Sequence, residues 1–422
     1  MQSVVENMRK TKVGYSRSEI TPQGTSRMAG FDLRKALSVG VLDPLYITVL
    51  FLEDLEGGQL IVCSYDLLGV DSQFCELVRK EITNRCVISD SDILISATHT
   101  HSAPGNIFSN KDIYDIEYVN FLIETTIVTV EKAIANASFS IPYMKTTNVR
   151  NLACIRTEGP GQDFIMRTNL LVLEREEDKV VLCLLQCHPT ILDENNLFLS
   201  RDLIGSCEKF LDNKYQYIFL NGACGDISTR YTRNESNIAE LNRLGSILAN
   251  DINEAIKNTE VVVDLHLRTV KRSLFLSGAK GLSDEKRKEL IALLEEKIEN
   301  CEENGLKREY QSRLAVLKRP NYGKRSGRNI CISVTDAGAF IIVGLPLELN
   351  SLQGKKYEEL LRKISKKTTW IACYTGGYDG YLPSGRPLDF QSNYEDIAAI
   401  YQENAQIEVR ECIIDCVNEL MI

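Results

Sequence analysis

The stretch Ile93–Gly105, ILISATHTHSAPG, constrains this chain more than any other. Ile93 to Ala97 is an apolar, β-branched run with the composition of a buried strand. Two histidines one residue apart follow it, His99 and His101, and Ser102-Ala103-Pro104-Gly105 then breaks the strand. Side chains along an extended strand repeat with period two, so both rings are expected on one face. A strand that delivers paired imidazoles to its own end suits an α/β fold, whose sites gather beyond the carboxyl ends of strands. The chain has only four histidines, and two of them lie here.

The surrounding pattern supports that class. Leu45–Leu52 and Gln59–Asp66 read as a hairpin across EDLEGG, and Asn169–Arg175 and Lys179–Gln186 as another across EREEDK. Asn329–Thr335 and Ala339–Gly344 form a third around Asp336-Ala337-Gly338. Tyr217–Leu220, Val261–Phe275 and Thr368–Tyr374 are further strands, and His266 is expected as an ordinary residue of the second. Helical spacing covers Asp71–Thr83, Tyr114–Ala135, Asp202–Leu211, Glu235–Ile256 and, last, Tyr394–Met421. Ser283–Gly305, with Ser283 as its cap, and Leu306–Leu317 read as a helical hairpin inserted over about 281–322, its charges a solvated face. No repeat, linker or compositional break divides the chain. The expectation is one large α/β domain over residues 1–422, with mixed β-sheets, flanking helices and a site at strand C-terminal ends.

Charge and composition exclude several functions. A formal net charge of −9 argues against nucleic acid or an anionic membrane as partner. No run approaches the ~18 apolar residues a transmembrane segment needs. The opening MQSVVENMRKTKVGYSR lacks the apolar region of a signal peptide, which leads to the expectation of a cytoplasmic protein. Thirteen cysteines, an odd number set mostly in apolar runs without a CxxC pair, fit reduced and buried thiols. Oligomeric state has no signature in the sequence.

Chemistry concentrates in a few segments. His188 ends a strand in QCHPT, and Glu348 is a lone acid in the apolar run LPLEL. A buried carboxylate needs a partner, either a cation or the start of the helix that follows it. Imidazole, carboxylate and phenolate ligands suit Zn²⁺, and three protein ligands with an open position form the catalytic pattern. In NGACGDISTR, Gly222 and Gly225 permit a tight turn that presents Ser228. That serine is either a nucleophile activated by a base or metal, or an ordinary turn residue.

Taken in order, these segments resemble the neutral/alkaline non-lysosomal ceramidase family, specifically its zinc-dependent amidohydrolase domain. SEITP, MAGF and VLDPLYITVLFLED look like its opening, and SATHTHSAPG is close to its THTHSGPG. QCHPT with SRD, NGACGDIS, GLPLE and YDGYLP…NYE are similar to its second histidine, amidase (GDVSPN), glutamate and tyrosine segments. The resemblance implies that His99, His188, Glu348 and Tyr381 bind zinc, with Tyr378 the alternative phenol. It implies that Ser228 is the catalytic serine, that His101 and Tyr394 line the site, and that Arg156 in NLACIRT stabilises the oxyanion. The implied activity is hydrolysis of the amide bond of an N-acyl, ceramide-like substrate, with Ser228 or a zinc-bound hydroxide attacking. The alternatives are a zinc esterase or small-amide hydrolase using metal-bound water, or a non-catalytic ligand-binding homologue. The chain departs from the family pattern at Thr229-Arg230, where the family has Pro-Asn, and at Ala103, where it has glycine. The stretch from Tyr381 to Ile422 is too short for the family's C-terminal immunoglobulin-like domain, so none is expected.

Overall fold

The computed structural model describes residues 11–105, 107–108, 114–258, 262–320, 322–323 and 325–422. Residues 1–10, part of the opening segment discussed above for a leader, lie outside them, as do Val261 and Asn321. Strands β1 (Thr11–Glu19), β2 (Tyr46–Glu53), β3 (Gln59–Tyr65), β4 (Ile93–Ala97), β5 (Ser138–Arg150), β6 (Ile165–Glu174), β7 (Lys179–Leu185) and β8 (Tyr215–Asn221) form one sheet. Their order is β8-β7-β6-β5-β1-β2-β3-β4. A second sheet holds β9 (Leu267–Leu276), β10 (Arg328–Ala337), β11 (Phe340–Gly344) and β12 (Thr368–Ala372) in sequence order. The helices are α1 (Ser72–Arg85), α2 (Ile116–Ala135), α3 (Leu203–Glu208), α4 (Ile238–Lys257), α5 (Asp284–Asn300), α6 (Asn304–Leu317), α7 (Ser351–Ser365), α8 (Tyr394–Ala398) and α9 (Ala405–Leu420).

The layering follows from strands that are apolar on both faces. In β2, Ile47, Val49 and Phe51 pack with Val78 of α1 and Leu122 of α2, whereas Leu50 and Leu52 face the other way. In β7, Val181 and Cys183 meet Leu203 of α3 and Leu244 of α4, while Val180 and Leu182 face inward. The inner faces of the two sheets meet there, where Val62, Leu171 and Leu182 pack with Phe340, Ile342 and Trp370. Helices α7 and α9 cover the outer face of the small sheet through Leu361, Ile413 and Val417. The result is a mixed α/β fold of four layers, as the sequence pattern implies.

Within these sheets three neighbouring pairs are parallel: β3/β4, β7/β8 and β11/β12. Their carboxyl ends are stitched together by Ala97 N–H to Tyr374 O (3.1 Å), Gly376 N–H to Ile95 O (2.7 Å) and Cys373 N–H to Asn221 O (2.9 Å). The chain segments leaving β4, β7, β8, β11 and β12 therefore emerge at one place, which positions the site.

Three expectations need correction. The final helix is two helices, α8 and α9. Between them Ala279 N–H bonds Ile400 O and Gln402 N–H bonds Ser277 O, so the intervening residues make an isolated antiparallel bridge, Gly278 to Tyr401, with no Gly or Pro of their own to signal it. The strand expected from Val261 begins at Leu267, although Val263, Leu265 and Leu267 do keep the buried alternation and leave His266 exposed. The charged face of α5 is solvated as expected, but α6 of the same hairpin buries Glu309 and Arg313. Leu290, Leu294 and Val316 pack with Tyr381 and Ile397, and Arg230 pairs with Glu309. Strand β5 went unanticipated because SFSIPYMKTTNVR has Pro142 and a polar second half.

Candidate metal centre

β4 ends at Ala97, and the next two amides bond back to the end of β3: Thr98 N–H to Tyr65 O (2.8 Å) and His99 N–H to Leu67 O (2.9 Å). His99 then takes a positive φ of 70°, so a turn, and not the pleat of a strand, brings the two rings together. They meet edge-on, with centroids 4.8 Å apart. His99 Nδ1 lies 2.7 Å from Leu68 O, and His188 Nδ1, just beyond β7, lies 2.7 Å from Cys224 O. A carbonyl only accepts, so both Nδ1 atoms carry the proton and both Nε2 atoms present bare lone pairs.

Both lone pairs face Glu348 Oε2, which can only accept. Glu348 Oε2 lies 3.5 Å from His99 Nε2 and 3.2 Å from His188 Nε2. His101 Nε2 is 3.2 Å from His99 Nε2, and Tyr381 OH is 3.5 Å from His188 Nε2. The three histidines could hold a metal ion, since one ring nitrogen from each falls within 4.8 Å of the others. Acceptors in van der Waals contact repel unless a cation lies among them. His101 Nε2 and Tyr381 OH can donate to these nitrogens, but the Glu348 carboxylate cannot, so the donor set fits a metal such as zinc. Protonation states agree. Burial pushes His188 down to about 4 and His101 well below the usual histidine range, leaving both neutral.

Glu348 does not cap the helix that follows it. Asn350 does that with a capping box on Gln353, while Glu348 forms a bridge with Tyr381, its N–H bonding Gly380 O (2.9 Å). Tyr378 packs its ring near His99 (centroids 5.6 Å) but donates its OH to Glu348 Oε1 (2.7 Å), whereas the Tyr381 OH lies against an imidazole nitrogen, His188 Nε2. Tyr374 escaped the sequence reading because it reads as the last residue of a strand. It stacks on His99 (centroids 4.0 Å) and donates to Glu348 Oε2 (3.3 Å). Arg34 was also missed: its buried guanidinium binds His101 O (2.7 Å) and Ala29 O, fixing the loop that carries the second ring.

Ser228, Arg156 and Tyr394 stand together on the wall of an adjoining cavity of about 90 Å³, shared with His101 and Tyr381. The pairing of Cys154–Ile155 with Ile227–Ser228 brings Arg156 beside the serine. Arg156 Nε binds Glu395 Oε1 (2.7 Å), and its Nη2 binds Tyr381 OH (3.0 Å) and Gly225 O. Tyr394 lies under the guanidinium, 5.5 Å from its carbon, and edge-on to Tyr381. Asp226 turns away, its carboxylate binding Ser351 N–H (2.6 Å) and Oγ (2.9 Å) at the start of α7.

Gly30 sits against this centre with φ +96°, and a Cβ there would fall 2.4 Å from His101 Cγ. Gly30→Ala is expected to displace the His101 ring and to destabilise the fold by about 1–3 kcal/mol. Thermal melting, together with metal affinity, measures both effects.

A chain with this centre at the ends of three parallel strand pairs has the makings of a mononuclear metal site. No family model matches it, and no curated protein does. Solved structures do. One is neutral ceramidase from Pseudomonas aeruginosa, at TM-score 0.77 and 15% identity over 97% of this chain and 74% of that one. Another is a ceramidase complexed with C2, at TM-score 0.78 and 14% identity over 98% and 75%. The fold is therefore neutral-ceramidase-like, as the motif order implies. Among the described residues no helix is long and apolar enough to cross a membrane.

Proposed function

We propose that the chain is a zinc-dependent amidohydrolase that cleaves the amide bond of an N-acyl substrate. The observation carrying this reading is the convergence of His99 Nε2, His188 Nε2 and Glu348 Oε2, with both Nδ1 protons committed to carbonyls. His99, His188, Glu348 and Tyr381 would hold the ion, with His101 beside them. When bound, zinc supplies Lewis-acid polarisation of a carbonyl and lowers the pKa of a nearby hydroxyl or water. The shared fold supports ceramide-like amide chemistry without fixing the substrate. We take residues 1–422 as one catalytic unit with α5–α6 as a wall of its site. The cytoplasm suits its thirteen unpaired cysteines.

The chain's own groups take definite roles. Tyr378 orients Glu348, and Glu395 with Tyr394 orients Arg156. The Arg156 guanidinium faces the cavity beside Tyr381, placed to stabilise the negative charge that develops on the substrate carbonyl oxygen. Ser228 is the attacking group in the first reading. A second reading has water attack while Ser228 positions it. The hydrogen bond given to Ser228 Oγ comes from Arg230 N–H (3.3 Å), and the neighbouring acid Asp226 is engaged elsewhere.

Ser228→Ala separates the two. Hydrolysis of an N-acyl amide panel should fall at least about 10³-fold if the serine attacks, and less than about tenfold if water does. Chelation should abolish turnover in either case. Zinc-loaded protein that binds such amides and leaves every one intact would support the non-catalytic alternative instead.

A further inference from the structure

Three arginines, Arg230, Arg233 and Arg308, line both the cavity at Ser228 and an outer groove of about 710 Å³. They therefore stand where one opens into the other. Two of them have acids: Arg230 pairs with Glu309, and Arg308 with Glu194 and Asp193 (3.2 Å). Arg233 differs. It donates to the Thr190 carbonyl and has no carboxylate within ion-pair distance among the described residues. Burial, with Arg308 and Arg230 adding to it, outweighs the more distant carboxylates of Asp202 and Asp193 and pushes Arg233 down to about 10. A desolvated guanidinium flanked by two more cations is costly until an anion meets it. The sequence departs from the ceramidase pattern at this point, with Arg230 two residues after Ser228. In a chain of net charge −9, a cationic lining beside the candidate nucleophile is a local exception.

We infer that the substrate is an acidic N-acyl amide, whose carboxylate or phosphate seats against Arg233 between Arg230 and Arg308. This rests on the amidohydrolase reading above and narrows it from neutral ceramides to acyl conjugates of an acidic amine, such as an amino acid. Water adds across the C–N bond, releasing the acyl carboxylate and the amine that bears the acid group. Arginine recognises both carboxylate and phosphate through paired, charge-assisted hydrogen bonds, so either oxyanion satisfies the geometry.

The test uses the zinc-loaded full chain and three substrates of one acyl length: N-acylglycine, N-acylethanolamine phosphate and neutral N-acylethanolamine. The better acid should exceed the neutral amide in kcat/KM by at least about tenfold, and which acid leads identifies the oxyanion. Arg233→Gln should collapse that ratio toward one, and Arg233→Lys should retain most of it. Arg308→Gln, at a position whose side chain is 24% exposed, should lower the same ratio should Arg233→Gln fail to fold. A neutral amide cleaved as well as both acids, or a ratio unmoved in a folded Arg233→Gln protein, overturns the inference and leaves the amidohydrolase reading standing. Should no amide be cleaved, that reading fails, and calorimetric binding of N-acylglycine decides the inference. At least tenfold weaker binding by Arg233→Gln supports it, and equal binding overturns it.

Discussion

His188→Ala is expected to lower zinc affinity at least about a hundredfold and amide hydrolysis at least about 10³-fold. The residue is fixed at three points: its backbone N–H to Ile227 O (3.0 Å), its ring Nδ1 to Cys224 O (2.7 Å), and its ring Nε2 beside Glu348 Oε2 (3.2 Å). Removing it takes one ligand from the cluster and leaves the Cys224 carbonyl without that donor, which costs about 1–3 kcal/mol of stability. Folding should survive, so melting curves separate loss of metal from loss of structure. Added zinc should raise the melting midpoint of the wild-type protein, by an amount equivalent to ~4 kcal/mol at a thousandfold excess over Kd. His188→Ala should show little of that rise. A variant that keeps its zinc and its turnover would remove His188 from the ligand set.

Arg156→Ala is expected to lower hydrolysis about 10²–10³-fold and to destabilise the fold by about 3–5 kcal/mol. Burial already pushes Glu395 up to about 7 with the guanidinium in place, and its Oε2 is buried without a hydrogen-bond partner. Without Arg156 that carboxyl titrates higher still. An acid whose folded-state pKa lies above its unfolded value loses stability as pH rises from the unfolded pKa through the folded one. The stability deficit of Arg156→Ala should therefore grow as pH rises through neutrality and shrink in acid. Denaturation followed from pH 5 to 8 reads this directly. Arg156→Lys should recover much of the stability and little of the rate, because a point charge does not reproduce a guanidinium bonded to Glu395, Gly225 and Tyr381 at once.

Much of this arrangement was legible before any coordinates. Hairpins such as β2/β3 and β6/β7 announce themselves through apolar runs and charged or glycine turns, and local chemistry decides them. His99, His188 and Glu348 stand out because each is a polar residue at the end of, or within, an apolar run, and such runs are buried. What the sequence hid is non-local. The break between α8 and α9 is made by pairing with Ser277–Ala279, more than a hundred residues earlier. The buried charges of α6 were hidden because they find partners, such as Asp193 and Arg230, only after folding. His99 reaches the cluster through a positive φ that no period-two pattern predicts, and Tyr374 matters through stacking that only the closed site creates.

The central claim is that His99, His188 and Glu348 gather around one cation. Anomalous diffraction at the zinc edge, from crystals of protein dialysed after zinc loading, tests it most directly. The account predicts a single peak among His99 Nε2, His188 Nε2 and Glu348 Oε2, at about 2.0–2.2 Å from each. Zinc-loaded crystals with no peak there, and the two imidazoles still facing the carboxylate, would contradict it.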